Sequence, residues 1–305
     1  MLIRILLALA LGLFVIPAST SAADGKCAAQ PLLAMTYNIR LDTAADGVNA
    51  WPHRRNFLIG QIATMRPEVL GLQEVLPHQK RELEVALPDY SFVGVGRDDG
   101  REQGEFAPLA IDRRYFRISG QGAFWLSPTP AVPSLGWDGA FKRMVTWARM
   151  TRRADGVRLL VLNTHWDHVG TMARMQSGAM MLEWIARNRR NGEEVIVLGD
   201  FNADADEPSM RQMTANSGNG AALVDTRMAS AAGSFGPAIS FNGFDPFPKT
   251  GKLIDHVLVS PAIAVRAHAV IAQHENGRVA SDHFPVVALI ELPQRKPGHC
   301  RRSSD

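Results

Sequence analysis

Val195-Ile-Val-Leu-Gly-Asp-Phe-Asn202 decides the fold. Its apolar run, rich in β-branched residues, is too short for a helix and reads as a buried strand. It ends abruptly in Gly199, then a carboxylate at Asp200 and a carboxamide at Asn202. In extended chain, residues two apart share a face, so these two side chains point the same way at the strand end. The same grammar recurs along the chain. Leu32 to Tyr37 ends in Asn38, and Val69 to Leu72 in Gln73-Glu74. Leu159 to Leu162 ends in Asn163 and His165, which again share a face. Leu253 to Ser260 carries Asp255 inside an apolar context, and Phe284 to Leu292 follows Ser281-Asp282-His283. Phe116 to Leu126 and Val145 to Met150 complete the expected strands.

Helical periods lie between some of these runs. Met175, Ala179, Leu182 and Ala186 fall on one face, and Asn191-Gly192 supplies a stop. Leu58, Ile62 and Met65 repeat the pattern before Pro67, a further helix is expected over Pro77 to Leu87, and another begins near Pro208, since proline is tolerated in a first turn. Strand pairs mixed with strand–helix alternation predict two packed sheets flanked by helices rather than a simple doubly wound sheet. No repeat and no low-complexity linker divides the chain, so one domain is expected, with its core over Pro31 to Pro293.

With 46% hydrophobic and 21% charged residues in 305, the chain buries a full core, which excludes disordered, collagen-like and coiled-coil classes. The net charge of +3 comes with no basic run that announces nucleic acid by itself. Arg4, the apolar stretch Ile5 to Ile16 and the small residues ending at Ala23 read as a secretory signal peptide over residues 1–23, leaving residues 24–305 as the exported protein. That stretch falls short of the roughly 20 apolar residues a membrane span needs. The expectation is therefore a secreted or periplasmic monomer with no stable membrane anchor.

Taken singly, an Asn or Asp at a strand end is ordinarily a turn-former bonding its own backbone, and His53, His78, His256 and His299 have no special context. The joint occurrence is what points to chemistry. Oxygen donors such as Asn38, Glu74 and Asp282 suit a hard cation, Mg2+ first with Mn2+ as substitute. The lack of a cysteine cluster or a helical His-Glu-x-x-His argues against zinc. A hard cation beside an acid-paired histidine is equipped to move phosphoryl groups.

In this order, Asn38, Gln73-Glu74, Asn163-Thr-His165, Gly199-Asp-Phe-Asn202, Ile254-Asp255 and Ser281-Asp-His283 resemble the motifs of the endonuclease/exonuclease/phosphatase superfamily, the deoxyribonuclease-like fold. The likeness spans nearly all of the exported chain and implies an α/β four-layer sandwich (αββα) with two central mixed sheets. It implies Glu74 as principal metal carboxylate, with Asn38 and Asp282 beside it. Asp200 and Asn202 would position or deprotonate the attacking water, or help hold a second metal. His283, oriented by Asp255, would contact the scissile phosphate, and His165 with Asn163 would stabilise the transition state or assist the leaving oxygen. The base is Asp200 or His283. Arg143 lies where some family nucleases place a phosphate-contacting arginine, and its ordinary reading is a solvated strand-end charge.

Gly104-Glu-Phe-Ala-Pro108, Phe124-Trp-Leu-Ser127, Gly136-Trp-Asp138 and His165-Trp-Asp-His168 resemble a bacterial branch near the deadenylase-like members. Ala110-Ile111 and Ser240-Phe-Asn-Gly-Phe244 depart from that branch's usual aromatic and Thr-Phe-His-Gly-Phe patterns. The resemblance implies a Mg2+-dependent phosphodiesterase acting on a phosphodiester, with nucleic acid the first substrate. A phosphatase or phospholipase C-like hydrolase of inositol, sphingolipid or sugar phosphates is the alternative, and an inert binding protein on the same scaffold is a third reading. Nucleic acid requires a basic stripe, for which Arg97, Arg101, Lys142, Arg143 and Arg174 are candidates. A lipid requires an exposed apolar loop, such as Phe241 to Pro248. In the family fold the first and last strands are neighbours, so in an oxidising compartment Cys27 and Cys300, which bracket the domain, are expected to form a bridge.

Overall fold

A computed structural model describes residues 31–215 and 222–293. The expected leader and the Cys27–Cys300 pair lie outside the described residues. In chain order the elements are β1 (Leu32–Asn38), α1 (Trp51–Met65), β2 (Val69–Gln73), α2 (Pro77–Ala86), β3 (Tyr90–Val93), β4 (Leu109–Asp112), β5 (Phe116–Trp125), β6 (Met144–Arg152), β7 (Arg158–His165) and α3 (Thr171–Asn188). There follow β8 (Glu193–Asp200), α4 (Pro208–Thr214), β9 (Val224–Asp225), α5 (Thr226–Ala229), β10 (Ser234–Phe235), β11 (Asp255–Val259), β12 (Ala264–Val270) and β13 (Val286–Glu291).

These strands make a seven-stranded sheet, β10-β12-β13-β1-β2-β4-β3, and a six-stranded sheet, β5-β6-β7-β8-β11-β9. Both are mixed: β1 is parallel to β2 and antiparallel to β13, while β7 is parallel to β8 and β8 antiparallel to β11. The alternation within β8 shows how the layers arise. Ile196 and Leu198 enter the apolar layer between the sheets, shared with Val69, Leu109 and Ile290, whereas Val195 and Val197 pack under α3 and α4 with Met181, Ile185 and Met210. On the other side Met35, Tyr37, Leu70 and Leu72 pack under α1 and α2 with Trp51, Leu58, Ile62 and Leu83. The order is helix, sheet, sheet, helix, the four-layer α/β sandwich. Each Leu or Ile in these layers contributes about 1.5–3 kcal/mol by burial. Among the described residues no helix is long and apolar enough to cross a membrane.

Local signals place most element ends. Pro52 in the first turn starts α1, and Arg66 in the left-handed conformation, followed by Pro67, stops it. The helix therefore begins seven residues before Leu58, with Trp51 as its first buried anchor. The middle of β2 needs glycine for a packing reason. A Cβ on Gly71 would sit 2.6 Å from Asn163 Oδ1 and 2.9 Å from Leu198 Cβ, so a side chain there would push the sheets apart.

The register of β1 with β13 pairs Leu32 with Ile290, at the end of β1 remote from Asn38. The chain thus enters and leaves the described fold side by side, and a Cys27–Cys300 bridge, which lies outside the described residues, would close nearly the whole chain. Such a closure is worth about 4–5 kcal/mol in the chain-entropy model. Reduction is expected to lower the thermal midpoint and to leave the initial rate at moderate temperature unchanged. Two reactive thiols in denatured, exported protein would show that no bridge forms.

Candidate active site

The strand-end residues continue the side of each strand that faces the other sheet. Asn38 follows Leu32 and Ala34, Asp200 follows Ile196 and Leu198, and Asp255 precedes Val257 and Val259, all at intervals of two and all partners in the inter-sheet layer. Where the layer stops, its polar extension opens into a cleft of about 380 Å³. Arg40, Glu74, Arg97, Glu105, Arg143, His165, His168, Asp200, Asn202, Asp282 and His283 line it, with Phe141 and Phe241 at its edge.

At its floor a line of groups crosses from one strand pair to the other. Asp255 Oδ2 lies 2.8 Å from His283 Nδ1, and His283 Nε2 lies 3.7 Å from Asp200 Oδ2. Asp200 Oδ2 also accepts from Asn38 Nδ2 at 2.9 Å and faces His165 Nε2 at 3.5 Å. Burial opposes a charged His283, but Asp255 and Asp200 outweigh it and raise the imidazole pKa to about 10. Burial, reinforced by the charge of Asp255, raises the carboxyl of Asp200. His165 goes the other way: burial, then Arg143 and Arg97, holds it well below the usual histidine range. One imidazole is cationic and the other neutral, a split suited to different proton-transfer roles.

Glu74 and Asp282 form the other wall. The backbone turns at Glu74 with φ 60°, taking its side chain out of the strand alternation. Asn38 Nδ2 donates to Glu74 Oε1 at 3.0 Å, and Leu41 N donates to Oε2 at 3.2 Å. The Arg40 guanidinium, paired with Asp46, stands 3.8 Å from both Glu74 and Asp282. Burial, offset by His283 and reinforced by Glu74, raises the Asp282 carboxyl. Two hard carboxylates converging on one cationic group are a donor set that fits a divalent cation. Asp200, Asp255 and His283 also lie within 4.8 Å of one another. There, however, the ring is already spent between two acids. Asn38 meets the carboxylates through its Nδ2, a donor, and so orients them rather than offering them oxygen.

Asn163 is placed differently from expectation. It shares a face with His165, but two residues deeper, where the sheets touch, and it is 0% exposed. Its Nδ2 donates to Leu72 O and Pro108 O at 2.8 and 2.9 Å, and its Oδ1 accepts from Gln73 Nε2 at 2.7 Å. Every polar atom is used in tying the sheets together, so no group remains for a substrate. Arg143 is likewise no solvated charge: it is buried, 3.7 Å from Asp167, and its Nε and Nη1 have no hydrogen-bond partner. Asn202 has φ 47°, caps Asp200 through its backbone N–H and donates its Nδ2 to Trp166 O.

Glu105 and Phe141, which have no role read from the sequence, also reach the cleft, as does Phe241 of the expected apolar loop. Glu105 makes a two-point ion pair with Arg97 and lies 4.0 Å from His165 Nδ1. Phe141 carries Arg97 and Arg143 over its ring and stacks on His168. Phe241, 46% exposed, sets its ring edge-on to His283 at 5.1 Å. The Glu105 and His168 motifs were visible in the sequence, but nothing in their spacing shows which side of the cleft the loops take.

His256, one residue past Asp255, points to the opposite face of β11 and is fully buried between Asp225 and Ala203 O. Burial opposes its charge, yet the Asp225 hydrogen bond and charge raise its pKa, while His256 lowers that of Asp225 against burial. The histidine contribution is complete below the unfolded histidine pKa near 6.5 and fades as pH rises through the raised folded value; the aspartate contribution is lost as pH falls below about 4. In denaturant titrations, the stability gap between wild type and His256→Gln is expected to be widest at about pH 4–6.5 and to narrow above it. A gap constant with pH would contradict this pairing.

Two stacked mixed sheets with an acid–imidazole–acid line and a carboxylate pair at their open edge define a phosphoester hydrolase of the sandwich class. A family model described as the Endonuclease/Exonuclease/phosphatase family matches residues 35–283, and the chain belongs to that family. Its members hydrolyse phosphoesters and generally use a divalent metal. The chain is similar to an endonuclease/exonuclease/phosphatase family protein of Bacteroides thetaiotaomicron, with TM-score 0.81 and 32% identity over 87% of this chain and 99% of that one. It is also similar to a mannosyl-6-phosphatase of the same organism, with TM-score 0.80 and 31% identity over 86% of this chain and 100% of that one. An uncharacterized protein of Acanthamoeba polyphaga mimivirus is 25% identical over 169 residues, 53% of this chain, and the chain spans 63% of that relative's length.

Proposed function

We propose that the chain is an exported Mg2+-dependent phosphatase of small phosphorylated sugars. The observation that carries this is where the arginines lie. A nuclease-type phosphodiesterase calls for an exposed basic stripe, but of the five candidates Arg97, Arg143 and Arg174 are buried or nearly so, each with an acidic neighbour, which leaves only the exposed Arg101 and the half-buried Lys142. Arg97 and Arg143 line the cleft and suit one compact anion rather than a track for a polymer. The relative described as a mannosyl-6-phosphatase supports the sugar-phosphate reading.

Glu74 and Asp282 would hold the cation, with Asn38 orienting Glu74. When bound, Mg2+ supplies charge neutralisation at the phosphoryl oxygens. The chain's own groups do the rest. Arg143, with unpaired donors at the cleft, binds the phosphoryl group. Asp200 accepts a proton from the attacking water, and His283, kept cationic by Asp255, stabilises the charge that develops. Neutral His165 faces the leaving oxygen. Phe141 and Phe241 narrow the mouth of the cleft.

The test is a panel at fixed Mg2+: mannose 6-phosphate and other sugar phosphates, inositol phosphates, DNA and RNA oligonucleotides, sphingomyelin and a simple diester. A kcat/KM for a sugar monoester at least about 100-fold above that for either oligonucleotide is expected, the scale of an unpaired polar recognition group. Faster cleavage of an oligonucleotide would reverse the assignment in favour of the nuclease reading.

A further inference from the structure

We propose that Arg54, remote from the reacting atoms, is a positioning residue that sets the separation of Glu74 and Asp282. This rests on reading those two carboxylates as the divalent-cation donors. Arg54 lies on α1, is 4% exposed and makes no ion pair among the described residues. Its donors go to backbone carbonyls of three separate segments: Nε to Asn49 O at 2.8 Å, Nη1 to Ile39 O and to Ala280 O at 3.1 Å, and Nη2 to Arg40 O at 2.8 Å. The guanidinium carbon lies 5.2 Å from the Trp51 ring centroid and 5.7 Å from that of Phe244.

Two of the three segments it grips carry a wall of the site each, and the third anchors the fork to the start of α1. Within residues 39–41, Arg40 N holds Asn38 Oδ1 at 3.0 Å and Leu41 N holds Glu74 Oε2 at 3.2 Å. Ala280 leads directly into Ser281-Asp282-His283, and Ser281 Oγ donates to Asn38 O at 2.7 Å. The loop of Phe244 closes on the same place, since Asn242 N and Gly243 N donate to Asp282 O at 2.7 and 3.0 Å. A planar fork reaches carbonyls of all three segments at once, which the single ammonium of lysine does not. A buried guanidinium without a carboxylate is costly unless its donors are satisfied, and its uncompensated charge lies beneath the acids that gather at the cleft. Both properties suit a residue that holds two acidic walls at a fixed distance.

The test measures Mn2+ binding by calorimetry on the full exported chain, with steady-state hydrolysis of a substrate the wild type cleaves. Variants are R54K, R54M and, as a stability control packed beneath the other sheet, I185A. R54K and R54M are expected to weaken Mn2+ binding by about 10-fold or more, as for residues that orient metal ligands, with kcat reduced and KM within about threefold. I185A is expected to lower the thermal midpoint and to leave Mn2+ affinity unchanged. Where R54M does not fold by circular dichroism, F244L, which removes the Phe244 ring from the Arg54 guanidinium, is expected to weaken Mn2+ binding in the same direction. Unchanged Mn2+ affinity in R54K, or in F244L, overturns the proposal and leaves Arg54 a structural residue. A wild type that binds no Mn2+ removes the metal reading and this inference with it.

Discussion

Glu74→Gln is expected to lower kcat/KM for the preferred phosphate ester by about 10³-fold, equivalent to about 4 kcal/mol of transition-state stabilisation. The substitution keeps the side chain's shape, but its single amide oxygen can accept from only one of Asn38 Nδ2 and Leu41 N, and one of the acidic charges facing Arg40 is gone. A hard cation loses its chief anionic donor, and half-saturation should move to higher Mg2+ or Mn2+. Excess chelator should abolish wild-type turnover, and either ion should restore it. Full activity in chelator, or a Glu74→Gln variant with wild-type rate and metal dependence, would refute the metal role.

Removal of the cationic imidazole should rank next. His283→Gln is preferable to alanine, because deleting the ring leaves Asp255 as a buried charge without its partner, at a cost of about 3–5 kcal/mol that would confuse folding with chemistry. The amide retains a polar contact to Asp255 but carries no charge beside Asp200. A loss of at least about 10²-fold in kcat is expected, the lower range for a positioned proton-transfer group. Asp255→Asn should lose a comparable factor, since it acts through the same ring, and the double variant should lose little more than either single one. Multiplicative losses in the double variant would show that the two residues act independently.

The outline of both fold and site was legible because it follows from period two. An apolar strand that ends in Asn, Glu or Asp places that group where the inter-sheet layer stops, which is how Asn38, Asp200, Asp255 and His165 come together. The same rule misleads at Asn163, for it gives the face and not the depth. Strand β12 passed unnoticed because Ala264-Val-Arg-Ala-His-Ala-Val270 is weakly apolar and gains its burial from tertiary pairing with β13 and β10. Strands β3 and β4 are too short to stand out from the loops around them. Glu105, Phe141, His168 and Phe241 arrive on loops, whose course depends on tertiary anchors such as the carboxylate of Asp167. That group accepts from Ala140 N and Phe141 N on one side and from Val169 N and Gly170 N on the other. No periodicity encodes such a crossing.

The bond from Asn38 to Asp200 joins a side chain of one sheet to a side chain of the other, and that from His283 to Asp255 joins the segment leading into β13 to β11 of the other sheet. Turnover therefore reports the docking of the two sheets more sensitively than any spectroscopic signal of the sheets themselves. In mild acid or denaturant, a state that keeps its strands but lets the layers slip by an ångström would retain its far-ultraviolet spectrum and lose its chemistry. Inactivation should then precede unfolding, and the interval between the two transitions would measure how rigidly the layers grip each other.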